Sequence, residues 1–151
     1  MTARNSERSR LRLPAFVPFR LNRLAVAVSE HLAAIYRGRF ALEIPEWRVM
    51  ATVGHERSCT AQFVAESTRM HKTRVSRAIA ALRERGLIER EDGDADRREK
   101  PLKLSAAGRR LYAQLVPLAL EREEELLACL GAPERRAFLS ALTALEEHLK
   151  L

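Results

Sequence analysis

The chain has few of the residues on which several protein classes depend. Its 151 residues include only two cysteines, Cys59 and Cys129, so no disulfide framework is expected and a reducing cytoplasm is the predicted location. No stretch approaches the roughly 18 to 20 consecutive apolar residues of a membrane-spanning helix. The basic N-terminus also lacks a secretory apolar segment before Phe16, so we expect no signal peptide.

Catalytic and metal-binding patterns are missing as well. No glycine-rich phosphate loop occurs, and serines such as Ser140 lack the sequence context of an activated nucleophile. The glutamate cluster from Glu121 to Glu125 is typical of a solvated helix face. The four histidines are scattered and show neither HExxH nor Cys/His ligand spacing: His31, His55, His71 and His148. We therefore expect no enzyme, no cofactor and no metal.

Positive charge is present in excess and is unevenly distributed. The net charge is +7. Residues 1–23 have six arginines against one glutamate, and residues 60–104 have eleven basic against eight acidic residues. Residues 24–59 are balanced, and residues 105–151 have a net charge of −1. This distribution favours a polyanionic partner on one side of a single domain.

The segment from Thr60 to Ser105 has the outline of a winged helix-turn-helix, in which a helix, a turn, a second helix and a hairpin follow one another. Gly86 is the expected stop of the second helix, and Ser105 is a good helix N-cap. In chain order the predicted elements are a helix over 60–66, a break at 67–69, a helix over 70–85, a strand over 87–90, an acidic turn around 92–94 and a strand over 102–104.

The second of these helices has one apolar face and one face suited to DNA. At 100° per residue, its apolar stripe comprises Val75, Ala78, Ile79 and Leu82. Arginine and lysine can donate to guanine or phosphate, and threonine can contact a thymine methyl group. An ordinary solvated helix is the alternative, but the position between a short helix and a basic hairpin favours DNA binding. The exposed side is predicted to comprise Thr73, Arg77, Ala80 and Glu84, flanked by Lys72, Arg74 and Ser76.

These residues resemble the multiple-antibiotic-resistance regulator (MarR) family over about residues 16–151. The matching motifs run from Thr60-Ala-Gln through Lys72-Thr-Arg-Val-Ser-Arg77 and Arg85-Gly-Leu-Ile-Glu-Arg90 to Asp96-Arg97-Arg98 and Leu102-Lys-Leu-Ser-Ala-Ala-Gly108. The resemblance implies that Arg98 enters a DNA minor groove and that Asp96 orients it. A guanidinium suits the negative potential of a narrow minor groove. Two positions depart from the family pattern, because Arg69 replaces a common turn glycine and His71 replaces a common aspartate.

The segments on either side of this motif are predicted to be helical. Residues 1–13 form an Arg- and Ser-rich arm, and a helix is expected from about Val17 to a stop at Gly38. A second helix should open at Ile44-Pro45-Glu46, and Cys59 should lie in a short strand beside the wing. The apolar stripe of the first helix comprises Leu21, Leu24, Ala25, Val28, Leu32, Ile35 and Tyr36, and the inward side of the second comprises Trp47, Met50 and Ala51.

Two further helices follow Ser105, with Pro117 expected to kink the first and residues 131–134 separating them. They have more apolar surface than a small winged helix needs, which favours burial against a second copy. The family resemblance implies the same, with the helices of both chain ends interleaved. The predicted fold is therefore mainly α with a small β-hairpin wing, in one domain over 1–151: residues 1–40 and 105–151 form dimerisation helices, and residues 41–104 form the winged helix-turn-helix.

The resemblance also implies a homodimeric repressor of an adjacent operon that binds palindromic operator DNA. A small anionic aromatic ligand or its coenzyme A thioester would release it. Aromatic and basic residues compatible with such a pocket are Phe16, Phe19, Arg20, Arg23, His31, Trp47 and Arg48. Alternatively, Trp47 is a hydrophobic anchor and the arginines are surface or dimer-contact residues. Two other functions remain open: a redox switch at Cys59 or Cys129, and a winged-helix protein–protein module without DNA binding.

Overall fold

A computed structural model describes residues 11–91 and 100–151 of the chain. Within them lie six α-helices, a short 3-10 helix and one two-stranded sheet. In chain order the elements are the 3-10 helix Leu13–Ala15, α1 Val17–Phe40, α2 Ile44–Glu56, α3 Ala61–Thr68, α4 Lys72–Glu84, β1 Ile88–Arg90, β2 Leu102–Leu104, α5 Ala106–Leu127 and α6 Ala132–Leu149.

The core lies where α2, α3 and α4 pack against one another and against the hairpin. The two strands are antiparallel, with Ile88 opposite Leu104 and Arg90 opposite Leu102. The largest fully buried side chains include Leu42, Met50, Leu82, Leu102 and Leu115. This arrangement confirms the predicted mainly α fold with a small β-hairpin.

The boundaries of the helix-turn-helix differ slightly from the predicted ones. Thr60 caps α3, because its side-chain oxygen accepts a hydrogen bond from the Phe63 amide at 3.1 Å. The predicted break at 67–69 is wrong for its first two residues, since α3 continues to Thr68. The second helix begins at Lys72 rather than at residue 70. Met70 instead lies in the turn, where it is 8% exposed and adds to the core.

Helix α1 does not stop at Gly38, so that prediction is wrong. The helix continues to Phe40 and ends where Ala41 adopts a left-handed conformation with φ of 49°. Phe40 and Leu42 are both buried. Burying these two side chains outweighs the cost of about 1 kcal/mol for a glycine within a helix.

Helix α2 and Cys59 follow their predicted positions, whereas the predicted separator 131–134 is wrong for its last three residues, because α6 begins at Ala132. Helix α2 begins with Pro45 in its first turn, and Met50 is fully buried. Cys59 and Leu102 form an isolated antiparallel bridge, with N···O distances of 3.1 and 2.8 Å. Helix α5 is continuous across Pro117, and the kink expected there stays a prediction.

The terminal helices leave apolar side chains exposed, as expected. Within α6 no residue is buried, and Leu145 is 44% and Leu149 63% exposed. On α1, Leu21 is 42% and Leu24 49% exposed. None of the helices in residues 11–91 and 100–151 is long and apolar enough to cross a membrane.

Replacing Gly108 should test the close packing of α5 on the turn between α4 and β1. An alanine Cβ at position 108 would lie 2.0 Å from the backbone oxygen of Leu87, which cannot move without disturbing the hairpin. We expect Gly108→Ala to lower the free energy of unfolding by about 3 kcal/mol, measured by urea denaturation.

Gly38→Ala is the matched control, since nothing lies within 4 Å of its added Cβ and the residue is within α1. It should be neutral or stabilise by up to about 1 kcal/mol. Equal effects of the two substitutions would contradict the packing described for α5.

Candidate nucleic-acid interface

Helix α4 exposes a basic face because its apolar stripe is buried on the opposite side. Val75 is 1%, Ala78 4%, Ile79 4% and Leu82 0% exposed, as the spacing predicts. The predicted DNA-contacting side chains are all exposed: Lys72, Thr73, Arg74, Ser76 and Arg77. The structure thus brings these residues together on the first two turns of one helix.

The N-terminus of α4 is capped without a negative charge. His71 precedes the helix in an extended conformation, and its Nδ1 accepts a hydrogen bond from the Thr73 amide at 3.3 Å. Arg69 has a φ of 55°, so this arginine occupies the left-handed position that favours glycine. Arg69 thus adopts the backbone conformation expected of the turn glycine, and His71 caps the helix where an aspartate is common. Because no carboxylate caps the helix, its positive end stays available to an anion such as phosphate.

A shallow groove of about 330 Å³ separates α4 from the beginning of α2. Arg74 and Arg77 line it together with Glu43 and Glu46. Both carboxylates have other partners: Glu43 accepts from Arg37 at 2.9 Å, and Glu46 accepts from the Glu43 amide at 3.0 Å. Within residues 11–91 and 100–151, no ion pair occupies Arg74 or Arg77. Their charges are therefore available to a polyanion.

Contacts between β1 and β2 hold the two ends of the wing together. Lys103 Nζ lies 3.7 Å from Glu89 Oε1 across the two strands, and the Glu91 amide donates to the Pro101 oxygen at 2.9 Å. The predicted wing residues Asp96, Arg97 and Arg98 lie outside the described residues, so their roles stay predictions.

Ser105 joins the end of α4, the wing and α5. Its hydroxyl donates to the Gly86 oxygen at 2.6 Å and accepts from the Gly108 amide at 2.9 Å. Its own amide donates to the Leu87 oxygen at 3.0 Å. The predicted N-cap is confirmed, and Ser105 additionally ties α5 to the turn that follows α4.

Sequence reasoning missed Arg85, the C-cap residue of α4. Its Nη1 donates to the Ala41 oxygen and its Nη2 to the Phe40 oxygen, each at 2.8 Å. These acceptors lie more than forty residues earlier in the chain. The only hint in the sequence is a cation at the end of a helix, which is usually a solvated charge.

The predicted ligand residues separate into two groups. Arg20 and Arg23 line a groove of about 570 Å³ that also includes Phe138 of α6. Phe19 lies beside this groove, with the Arg23 guanidinium carbon 5.6 Å from its ring centroid. Phe16 is 42% exposed before α1 begins.

The second group, Trp47 and Arg48, lies on α2 and contacts α1. Trp47 stacks on Tyr36 with ring centroids 5.7 Å apart, and Arg48 donates to the Ser29 hydroxyl at 2.9 Å. Burial raises the pKa of Tyr36, although neighbouring Arg37 and Arg48 act in the opposite direction. His31 is exposed and has no role in either group. Neither Trp47 nor Arg48 lines the Arg20 groove.

The two cysteines lie in different environments. Cys59 is half-buried, and burial, with a smaller contribution from Glu56, raises the pKa of its thiol to about 11. Cys129 is exposed, and its Sγ lies 3.4 Å from the Leu126 oxygen. No cluster of three or more potential metal ligands occurs in the described part of the chain.

Known proteins resemble this chain in sequence. A family model described as MarR family matches residues 42–99, from the residues before α2 to the segment between β1 and β2. The transcriptional regulator HosA of Escherichia coli O127:H6 is 27% identical over 95 residues, which cover 63% of this chain and 70% of that protein.

Several solved structures have a fold similar to that of this chain. The MarR family transcriptional regulator SPO1453 from Silicibacter pomeroyi DSS-3 is 25% identical, with a TM-score of 0.80 over 93% of this chain and 99% of that one. A MarR/EmrR family regulator from Acinetobacter sp. ADP1 has a TM-score of 0.81 at 24% identity, with the same two coverages. A MarR family protein of Mycobacterium tuberculosis, solved in complex with salicylic acid, has a TM-score of 0.71 at 21% identity over 87% of this chain and 96% of that one.

The environments of the two cysteines predict different rates of alkylation. Because the pKa of Cys59 is about 11, little of it is thiolate near pH 8. In Cys129→Ser, iodoacetamide should therefore modify Cys59 slowly near pH 8, with a rate that keeps rising as the pH approaches 11. Mass spectrometry of Cys59→Ser should show faster modification of exposed Cys129. A Cys59 rate that is already maximal near pH 8 would contradict the environment described.

Proposed function

The chain belongs to the MarR family of DNA-binding transcriptional regulators, and we propose that it is a homodimeric repressor that a small anionic aromatic ligand releases from its operator. The observation that supports DNA binding most strongly is the exposed basic face on the first two turns of α4, whose Arg74 and Arg77 have no ion pair within residues 11–91 and 100–151. Helix-turn-helix proteins place the N-terminal residues of their recognition helix in the major groove.

In this proposal the DNA contacts divide by chemistry. Arg77 and Thr73 face base edges, and Lys72, Arg74 and Ser76 contact phosphates on either side. The wing follows the DNA backbone and enters the adjacent minor groove with Arg98. Asp96 orients this arginine, and Arg97 lies next to it in the sequence. A positive helix end without an acidic cap adds to the attraction.

The exposed apolar surface supports a dimer formed by the two chain ends. Helix α6 has no buried residue, although it contains Phe138, Leu142 and Leu145. In water, such a face is stabilised when a second copy covers it, and a two-fold dimer matches a palindromic operator. We assign dimerisation to residues 1–40 and 105–151, and DNA contact to residues 41–104.

The groove beside α1 supports an anionic aromatic effector. Arg20 and Arg23 supply two cations, and Phe138 and Leu24 supply an apolar wall. A carboxylate on an aromatic ring fits this combination. The Mycobacterium tuberculosis protein of the same fold was solved with salicylic acid, an aromatic carboxylate. Trp47 and Arg48 form the alternative site. They are less available to a ligand, because they already stack or hydrogen-bond with neighbours of their own.

The competing functions have less support. A redox switch at Cys59 is disfavoured because its raised pKa keeps the thiol protonated, which leaves exposed Cys129 as the redox candidate. A module that binds only proteins has no need for the unpaired Arg74 and Arg77 on the exposed face of α4. We propose neither a cofactor nor catalysis, and we place the repressor in the cytoplasm, acting on an adjacent operon.

Removing Arg77 tests the recognition face. Arg77→Ala should weaken binding to the selected operator by about 1–3 kcal/mol, because a base or phosphate contact is lost. Fluorescence anisotropy with a labelled duplex measures this directly. Arg83→Ala is the matched control, since it removes the same charge from the flank of the same helix near its C-terminal end. Equal losses for both variants would contradict the assignment of the Arg77 face.

Removing Asp96 separates orientation from charge in the wing. Arg98→Ala should reduce operator affinity because it removes a minor-groove cation. Asp96→Ala should also reduce operator affinity if the carboxylate orients Arg98. If the carboxylate acted only as a negative charge near DNA, its removal would tighten binding. Electrophoretic mobility shifts at matched salt distinguish the two results. Tighter binding by Asp96→Ala would refute the orienting role.

Titrating the operator complex with candidate effectors tests the ligand site. We expect one class among benzoate, salicylate, cinnamate and nicotinate-type acids or their coenzyme A thioesters to lower operator affinity, with a coupling of about 1–3 kcal/mol. Arg20→Ala or Arg23→Ala should raise the concentration needed for release, whereas Arg48→Ala should not. The opposite pattern would move the site to Trp47 and Arg48. Release by an oxidant through Cys129, with no response to any acid, would favour the redox switch.

A further inference from the structure

Arg85 connects the end of the recognition helix to the end of α1. It is the C-cap residue of α4, and its two terminal nitrogens donate to the oxygens of Phe40 and Ala41, both at 2.8 Å. Glu46 Oε2 lies 4.0 Å from Nη1. In the part of the chain that the structure describes, the hydrogen bonds between α4 or its cap and the end of α1 both come from this side chain.

The acceptors are suited to a guanidinium. The last carbonyl oxygens of a helix have no partner within the helix, and they lie at the negative end of its dipole. A planar guanidinium satisfies two of them at once and fixes both distance and orientation. Lysine would supply a charge there without the two-point geometry.

Helix α1 connects the Arg85 contact at its C-terminal end with the Arg20 groove at its N-terminal half. Helix α4 packs on α2 and α3, whereas α1, which has 24 residues and spans about 36 Å, packs on α2 and α5. Its N-terminal half lines the Arg20 groove and exposes Leu21 and Leu24. Its C-terminal end is held by Arg85. A displacement of α1 therefore has a direct hydrogen-bonded connection to the recognition helix.

We propose that Arg85 is a positioning residue that fixes the angle and distance of the recognition helix relative to α1, and so sets the spacing of operator half-sites that the dimer accepts. This inference rests on the dimeric DNA binding proposed above. One added base pair moves a half-site by about 3.4 Å along the DNA and rotates it by about one tenth of a turn. A rigid pair of recognition helices cannot follow that change, but a loosely held pair can.

The test compares affinity across half-site spacings. Wild-type protein selects an operator from random duplexes about three helical turns long, and one or two base pairs are then inserted or removed at its centre. We expect wild type and Arg83→Ala to lose roughly tenfold or more with one changed base pair, within the usual range of coupling between sites. Arg85→Ala should lose only about twofold to threefold, and Arg85→Lys should fall between them.

A merely stabilising role for Arg85 predicts a different result. It would lower the melting temperature of Arg85→Ala and its affinity at every spacing by one factor, leaving the ratios between spacings as in wild type; that result would overturn the proposal. If Arg85→Ala does not fold, Arg85→Lys makes the same comparison, because it keeps the charge and loses the two-point contact. A wild-type protein with no spacing preference would instead refute the dimeric operator binding on which the inference rests.

Discussion

The burial of one stripe of α4 is the constraint on which the rest of the site depends. Val75, Ile79 and Leu82 are almost completely removed from water against α2 and α3. Burying side chains of this size contributes about 1.5–3 kcal/mol each, so the helix cannot rotate without losing several of these contacts. The residues opposite the stripe are therefore held outward, and Arg77 and Thr73 are among them.

Fixed orientation and free charge together make this face suited to DNA. The two carboxylates that line the same groove as Arg74 and Arg77, those of Glu43 and Glu46, are already hydrogen-bonded to Arg37 and to the backbone. The arginines thus face solvent without a protein counter-charge in the described part of the chain. Phosphates are the natural replacement, because their binding releases condensed counterions.

Features that depend on local periodicity could be predicted from the sequence, whereas features that depend on distant packing could not. The spacing of Val75 to Leu82 gave the correct buried face because a helix repeats every 3.6 residues. The position of Gly38 does not predict where α1 ends, because the burial of Phe40 and the contact with distant Arg85 decide it. Residue type alone cannot separate the predicted ligand residues, but Arg20 and Ser29 lie about 14 Å apart along α1. Arg20 and Arg48, which donates to Ser29, therefore lie in different parts of the structure.

The salt dependence of binding to random duplex DNA tests DNA binding by the α4 face most directly. If cations of α4 and the wing replace counterions, the logarithm of the association constant should fall linearly with the logarithm of salt concentration. Each phosphate contact contributes a slope of about −0.9. Arg77→Ala should make the slope shallower by about one unit if Arg77 neutralises a phosphate, and should leave it unchanged if Arg77 contacts only bases. Binding that does not change with salt, or no binding at low salt, would contradict the account.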